Sequence, residues 1–247
     1  MFNLMKYEFR KTAFSKVVIL AITVIAEIAY LAGVFGKWEK TMAIGITGLA
    51  MCALIGIFYI GIESLLVFHK DLNTKQSYML FLTPKNSYQI LGAKVLENGI
   101  AIFVTGAFFA VLAAVDMTIG ILYIGGVKEF LNVVEQVLHS IQVEIELTPQ
   151  TVLFPFFAGL ASWLMTIVTG YLAIVLSATV LAGKKFSGLV SFILFMVLTY
   201  VSGLLLDHLP VLGSNEANAC LMIASSFVII AIMYALTGWV MEKKLSV

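Results

Sequence analysis

Six long apolar runs constrain the fold of this chain more than any other feature. An apolar run of about 18 or more residues with few charges is typical of a bilayer-spanning helix, because lipid offers the backbone no hydrogen-bond partner and a helix satisfies its own. The mean hydropathy of +1.04 agrees with a membrane protein. We therefore predict one all-α polytopic membrane domain over residues 1–247, with six transmembrane helices. The runs cover residues 17–36, 41–68, 95–127, 151–182, 186–206 and 219–241.

The positions of the basic residues predict the orientation of these helices. Lys and Arg in short loops tend to remain on the cytoplasmic side. When the N-terminus is placed inside, only Lys37, Lys40 and Lys128 of the 15 Lys and Arg residues fall outside. We therefore expect a multi-pass protein of the plasma membrane with both termini in the cytoplasm.

The segment that precedes the first run, residues 1–16, has an amphipathic pattern. Phe2, Met5, Phe9 and Ala13 share one helical face, and Lys6 lies largely elsewhere. This pattern favours an interfacial helix. The alternative is a basic flank that only fixes the topology.

The longest predicted cytoplasmic loop is HKDLNTKQSYMLFLTPKNSYQILGAK, residues 69–94. Residues 72–82 are expected to form a short helix that ends at Thr83-Pro84, because a residue before proline is disfavoured in the α conformation. The apolar stretch 78–82 is too short to span a bilayer. It suits docking into a groove of another protein or lying on the lipid surface.

The longest predicted external segment is residues 128–150. Phe130, Val134, Val137 and Ile141 recur there at helical spacing. This spacing predicts an amphipathic helix that packs over the external mouth or lies on the outer leaflet.

Glu27 is the acidic residue nearest the middle of a run. A lone ionised carboxylate in lipid costs at least a few kcal/mol. No cation lies within one helical turn of it, so a partner has to come from another helix, a second subunit or water. Either a hydrogen bond to a Ser, Thr or Tyr fixes helix packing, or Glu27 is a polar point on a transport pathway.

The fourth run carries small residues at a spacing of four. Small residues let helix backbones approach each other in lipid. We expect close packing within one subunit, with packing between subunits as the alternative. The two series are Ala158, Ser162, Thr166 and Gly170, and Thr169, Ala173 and Ser177.

Motifs of common enzymes are absent from the sequence. It contains no GxxxxGK[ST] phosphate loop, no HExxH zinc motif and no GxSxG nucleophile elbow. We expect no catalytic residue, cofactor or metal in this chain, and no nucleic-acid partner.

The layout and one local motif resemble the small permease subunits of type-2 ABC exporters, which have the type V fold. The shared layout is an amphipathic N-terminal helix, six spans and both ends inside. KYEFRK at residues 6–11 is similar to the start of such subunits. The residues that match the motif after the second span are Asp71, Leu72, Tyr78, Phe81, Leu82, Thr83, Pro84 and Lys94.

This resemblance implies that the segment after the second span is a coupling helix, seated on a separate ATPase subunit. Two copies of that ATPase would bind ATP and Mg²⁺, and a second permease subunit, identical or related, would complete the pathway. The coupling residues implied are Asp71, Leu72, Lys75, Tyr78, Phe81, Leu82, Thr83 and Pro84, with Glu27 as a candidate pathway residue.

The cargo is indicated by size and loop pattern alone, which resemble exporters of phenol-soluble modulins. These are amphipathic, cytolytic peptides. The spans are rich in Phe and Met and poor in charge, which suits a large amphipathic cargo better than a sugar or an ion. The alternatives are extrusion of lipids or drugs by the same type of exporter, and an ATP-independent secondary transporter.

Overall fold

A computed structural model describes residues 2–73, 86–124, 126, 149–181 and 186–245. All regular structure in these ranges is helical. The elements are α1 (Phe2–Lys11), α2 (Ala13–Gly36), α3 (Glu39–Asn73), α4 (Ser87–Ile124), α5 (Pro149–Leu181), α6 (Ser187–Asp207), α7 (Asn215–Val240) and a π-helical turn (Met241–Leu245).

The helices α2 to α7 are each long and apolar enough to cross a membrane. The prediction of six apolar spans is thus confirmed, and the described part of the chain is that of a multi-pass membrane protein. With 35 and 38 residues, α3 and α4 exceed the roughly 20 that a bilayer requires. They therefore have to tilt or extend beyond the hydrocarbon layer.

Two short interruptions separate the first three helices. Thr12 lies between α1 and α2, so residues 13–16, which the sequence prediction assigned to the interfacial helix, belong to α2. At the other end of α2, Lys37 adopts a left-handed conformation (φ 53°), and its N–H donates to the carbonyl groups of Gly33 and Val34. Such a left-handed residue is a common way to end a helix.

The described residues divide into two compact units. The first unit combines Met1–Glu8, Ile62–Gly99 and Leu147–Val247. Its central helix is α5, which packs against α6 and α7. The most apolar stretch of α5 is 61% buried, against 6–22% for the other five spans. Thr169, Ala173 and Ser177 are buried in this unit, as the small-residue pattern predicts for packing within one subunit.

The other small-residue series of α5 has a different environment. Ala158, Ser162 and Thr166 are exposed, and only Gly170 is buried, with the side chain of Leu65 beside it. Close packing therefore involves one series and the end of the other.

The second unit combines Phe9–Gly61 and Ile100–Glu146. Tyr30, Val34 and Met42 form its small buried core. The backbone of α3 at Gly45 lies directly against the backbone of Tyr30, an approach that leaves no room for a β-carbon. Glycine therefore sets the close packing of α2 on α3.

Several predicted features lie outside the described residues. They include the coupling residues Lys75, Tyr78, Phe81, Leu82, Thr83 and Pro84, within 74–85. They also include Phe130, Val134, Val137 and Ile141 of the external segment, within 127–148. The short transverse helix is predicted to start at residue 72, but Leu72 and Asn73 are the last residues of α3. The remainder of that helix and the external amphipathic helix stay predictions.

Candidate functional site

Lys94 forms a buried ion cluster with two acidic residues of the first unit. Its Nζ atom lies 2.7 Å from Asp71 Oδ2 and 2.9 Å from Glu8 Oε1. The Lys94 side chain is only 3% exposed. We call these three residues the Lys94 cluster.

The Lys94 cluster joins three helices. Glu8 comes from α1, Asp71 from the last turn of α3, and Lys94 from the early part of α4. Residues 74–85 connect α3 to α4, so the bond between Asp71 and Lys94 closes the base of the predicted coupling segment. The structure therefore brings together Asp71 and Lys94, two residues of the motif that carries the resemblance. Glu8 attaches α1 to the same lysine.

The buried position of the cluster determines what it contributes. Removing charges from water is costly, so a buried ion pair adds little net stability, whereas removal of one partner is strongly destabilising. We therefore expect the cluster to act mainly by specifying one arrangement of α1, α3 and α4. The ammonium group also lies 5.6 Å from the centre of the Phe68 ring, within the range of a cation–π contact.

Apolar packing supports the cluster from one side. Leu72, the other predicted coupling residue that is described, is buried in a core with Phe68, Leu91 and Tyr171. The Phe68 and Tyr171 rings meet edge to face at 4.7 Å. Ser64 and Tyr171 add a buried hydrogen bond between their hydroxyl groups. The end of α3 is thus held by packing as well as by charge.

A hydrogen-bond network ties the same end of α3 to the start of α6. The Ser187 hydroxyl donates to Asn73 Oδ1 at 2.9 Å and lies 3.3 Å from His69 Nε2. The Ser177 hydroxyl of α5 donates to the Ser187 carbonyl at 2.7 Å. The last turn of α3 is therefore bonded directly to α4 and α6, and it is linked to α1 through Lys94 and to α5 through Ser187.

Glu27 belongs to the second unit, and its neighbour there is another acid. Its side chain forms a hydrogen bond with that of Asp116 from α4. Such a bond requires a proton on one of the two carboxyl groups. Tyr30, one turn after Glu27, donates its hydroxyl to the backbone carbonyl of Asp116 at 2.6 Å. We call Glu27, Tyr30 and Asp116 the carboxyl cluster.

The carboxyl cluster is incompletely satisfied. Asp116 is 7% exposed. Apart from the bond between the two carboxyl groups, its Oδ1 atom and Glu27 Oε2 are buried and have no hydrogen-bond partner. Buried polar atoms without a partner are rare, because each costs a few kcal/mol of desolvation. Neither oxygen is accessible from outside, so the two carboxyl groups depend on each other for a hydrogen bond.

Metal binding receives no support from the described residues. Within those ranges, no group of three or more His, Cys, Asp or Glu side chains is arranged to hold an ion. The three residues of the Lys94 cluster satisfy one another.

Sequence reasoning missed two of these residues. The amphipathic pattern of α1 indicates its apolar positions and gives no sign that Glu8 is buried. The length of the third run places Asp116 near the end of a span. A signal for Glu8 existed in the resemblance itself, since it lies within KYEFRK.

Comparisons of the chain with family models, curated proteins and solved structures find no significant match.

Proposed function

We propose that the chain is the transmembrane subunit of an ATP-driven ABC exporter. It works as a dimer, with an identical or related permease subunit, and is coupled to two copies of a separate ATPase that binds ATP and Mg²⁺. It lies in the plasma membrane with both termini in the cytoplasm. Its cargo is an amphipathic or cytolytic peptide. The chain itself is not an enzyme.

The observation that carries this proposal is the Lys94 cluster. A segment that transmits a conformational change from an ATPase has to be rigidly connected to the helices that move. The bond between Asp71 and Lys94 joins the two ends of the predicted coupling segment at 2.7 Å. Glu8 adds α1 to the same point. This is the attachment that a coupling segment requires.

Association with an ATPase is the direct test. The full-length chain is purified from its native membranes in mild detergent, and the complex is assayed for ATP hydrolysis and for a subunit with a phosphate loop. Replacing Tyr78 and Phe81 by Asp should abolish co-purification, because charge would disrupt an apolar docking stretch.

The control is Val211→Asp, which introduces an aspartate at a position that is 89% exposed and that the predicted topology places outside. This variant should retain the ATPase. If the complex survives the changes at Tyr78 and Phe81, the coupling assignment is wrong. If no phosphate-loop ATPase accompanies the unaltered chain, the ABC assignment is wrong.

The carboxyl cluster favours one second candidate, an ATP-independent secondary transporter. Ionisable groups deep in the membrane are typical of proton-coupled carriers. From sequence only Glu27 was central, whereas the structure pairs it with Asp116. Proteoliposomes that contain the chain alone separate the two candidates, because uptake driven by a pH gradient without ATP occurs only for the carrier.

A further inference from the structure

A groove in the second unit lies along the first part of α2. Its volume is about 250 Å³, and residues of α2, α3 and α4 line it. Of the described residues in its wall, six are apolar and two are threonines. Lys16 is the charged residue among them. We call this apolar cavity with a single cation the Lys16 groove.

The cation lies at one end of the Lys16 groove. The Lys16 ammonium group donates to Thr12 Oγ1 at 2.9 Å and lies 4.5 Å from the centre of the Phe9 ring. Both partners precede α2, so the charged group points towards the start of that helix. The lining residues of α2 continue as far as Thr23, about 10 Å further along the helix axis. The groove thus leads from a cation into an apolar region.

The rim of the Lys16 groove consists of exposed side chains on spanning helices. Leu20, Val104 and Phe108 line the groove and are exposed. They belong to α2 and α4, which are each long and apolar enough to cross a membrane. Acyl chains of lipid are as apolar as leucine and surround such side chains. A lipid tail can therefore enter the groove without leaving the bilayer.

The charge around the groove favours a particular head group. Arg10 and Lys11 form the end of α1, shortly before Lys16, and no acid occurs among the described residues of the wall. An ammonium group forms short hydrogen bonds with phosphate oxygens, and basic pockets between spanning helices bind anionic head groups on the cytoplasmic side. The predicted orientation places the start of α2 in that leaflet. A zwitterionic head group adds a cation of its own, which the basic residues repel.

We propose that the Lys16 groove binds one anionic phospholipid, with the phosphate on Lys16 and an acyl chain between α2 and α4. An ammonium group carries three N–H donors, so binding a phosphate oxygen is compatible with the bond to Thr12. The inference concerns binding alone, and it holds whether or not the chain works with an ATPase.

Native mass spectrometry of the full-length chain in detergent, titrated with dioleoyl phosphatidylglycerol or dioleoyl phosphatidylcholine, tests the proposal. We expect one phosphatidylglycerol to bind at least about tenfold more tightly than phosphatidylcholine, because each nearby Lys or Arg attracts net negative charge. Equal affinities would overturn the proposal. Inorganic phosphate at the same concentration should not displace the lipid. Displacement would show a site for a free anion instead of a lipid.

Two lysine substitutions locate the head group. Lys16→Gln should weaken phosphatidylglycerol binding by about tenfold or more, because a hydrogen bond between charged groups is lost. Lys40→Gln changes an exposed lysine at the start of α3. It is the matched control and should bind as before. Unchanged binding by a Lys16→Gln protein that elutes as a folded species would overturn the proposal.

Thr105→Phe locates the acyl chain, and it decides the matter if Lys16→Gln does not fold. Thr105 lines the groove, and a phenylalanine there fills part of it while leaving the Lys16 side chain unaltered. Phosphatidylglycerol binding should weaken several-fold in this variant. Undiminished binding would show that the lipid does not occupy the Lys16 groove.

Discussion

Removal of the Lys94 ammonium group should destabilise the protein through the two acids that it leaves behind. Lys94→Met keeps most of the apolar stem and removes only the cation. Breaking a buried ion pair by removing one partner costs about 3–5 kcal/mol. Glu8 and Asp71 also have other interactions, so we expect the free energy of unfolding to fall by about 3 kcal/mol, the lower end of that range.

The companion substitution Asp71→Asn should be less harmful. It leaves Lys94 paired with Glu8 at 2.9 Å, so the loss is about 1.5 kcal/mol, that of one hydrogen bond to a charged group. In the double variant the uncompensated Asp71 charge is gone. Its loss should therefore be smaller than the sum of the two single losses by about 1 kcal/mol or more, as for residues in contact.

Unfolding in mixed micelles with increasing dodecyl sulfate, followed by helical circular dichroism, gives these free energies. Lys6→Met is the matched control, since Lys6 is an exposed lysine on α1, and its effect should stay within about 0.5 kcal/mol. If the two single losses add to within about 0.5 kcal/mol, or if Lys94→Met behaves like Lys6→Met, the reasoning on the cluster is refuted.

Three further outcomes are expected. Gly45→Ala should lower the free energy of unfolding by about 1–3 kcal/mol because its methyl group would overlap the Tyr30 backbone. Gly48→Ala, where only an ordinary contact forms, should change it by less than about 1 kcal/mol; equal losses would contradict this difference. Tyr171→Phe should cost about 1–2 kcal/mol in the same titration, because a buried hydroxyl loses its partner, and no loss would show that the bond is dispensable. Glu27→Gln should leave assembly and ATP hydrolysis intact and reduce export of a cationic peptide from proteoliposomes; unchanged export would place Glu27 outside the pathway.

The six spans could be predicted from sequence because lipid imposes one requirement on every spanning segment. A spanning backbone has to be helical and its side chains mostly apolar, so the runs in the sequence coincide with α2 to α7. Side-chain contacts between helices are different. In a membrane, residues that face lipid and residues that face another helix are similarly apolar, so hydropathy does not show which helices are neighbours.

The carboxyl cluster illustrates this limit. The sequence shows that Glu27 needs a partner, but not that Asp116 provides it, because the two residues lie on different helices, α2 and α4. Part of the Lys94 cluster could be predicted from sequence, because the motif of the resemblance contains both Asp71 and Lys94. The resemblance also contains Glu8, within KYEFRK. Its buried position could not be predicted, because on an amphipathic helix an acid is ordinarily assigned to the solvated face.

The Lys94 cluster also imposes an order on the biogenesis of the protein. Glu8 is among the first residues to be synthesised, whereas its cation lies far along the chain, in α4. Synthesis of the intervening stretch of about 85 residues takes roughly 4–17 s at 5–20 residues per second. Throughout that interval Glu8 has no Lys94 to bind, although the first two spans are synthesised within it. The bond between α1 and α4 therefore forms only after the chain has been synthesised as far as Lys94.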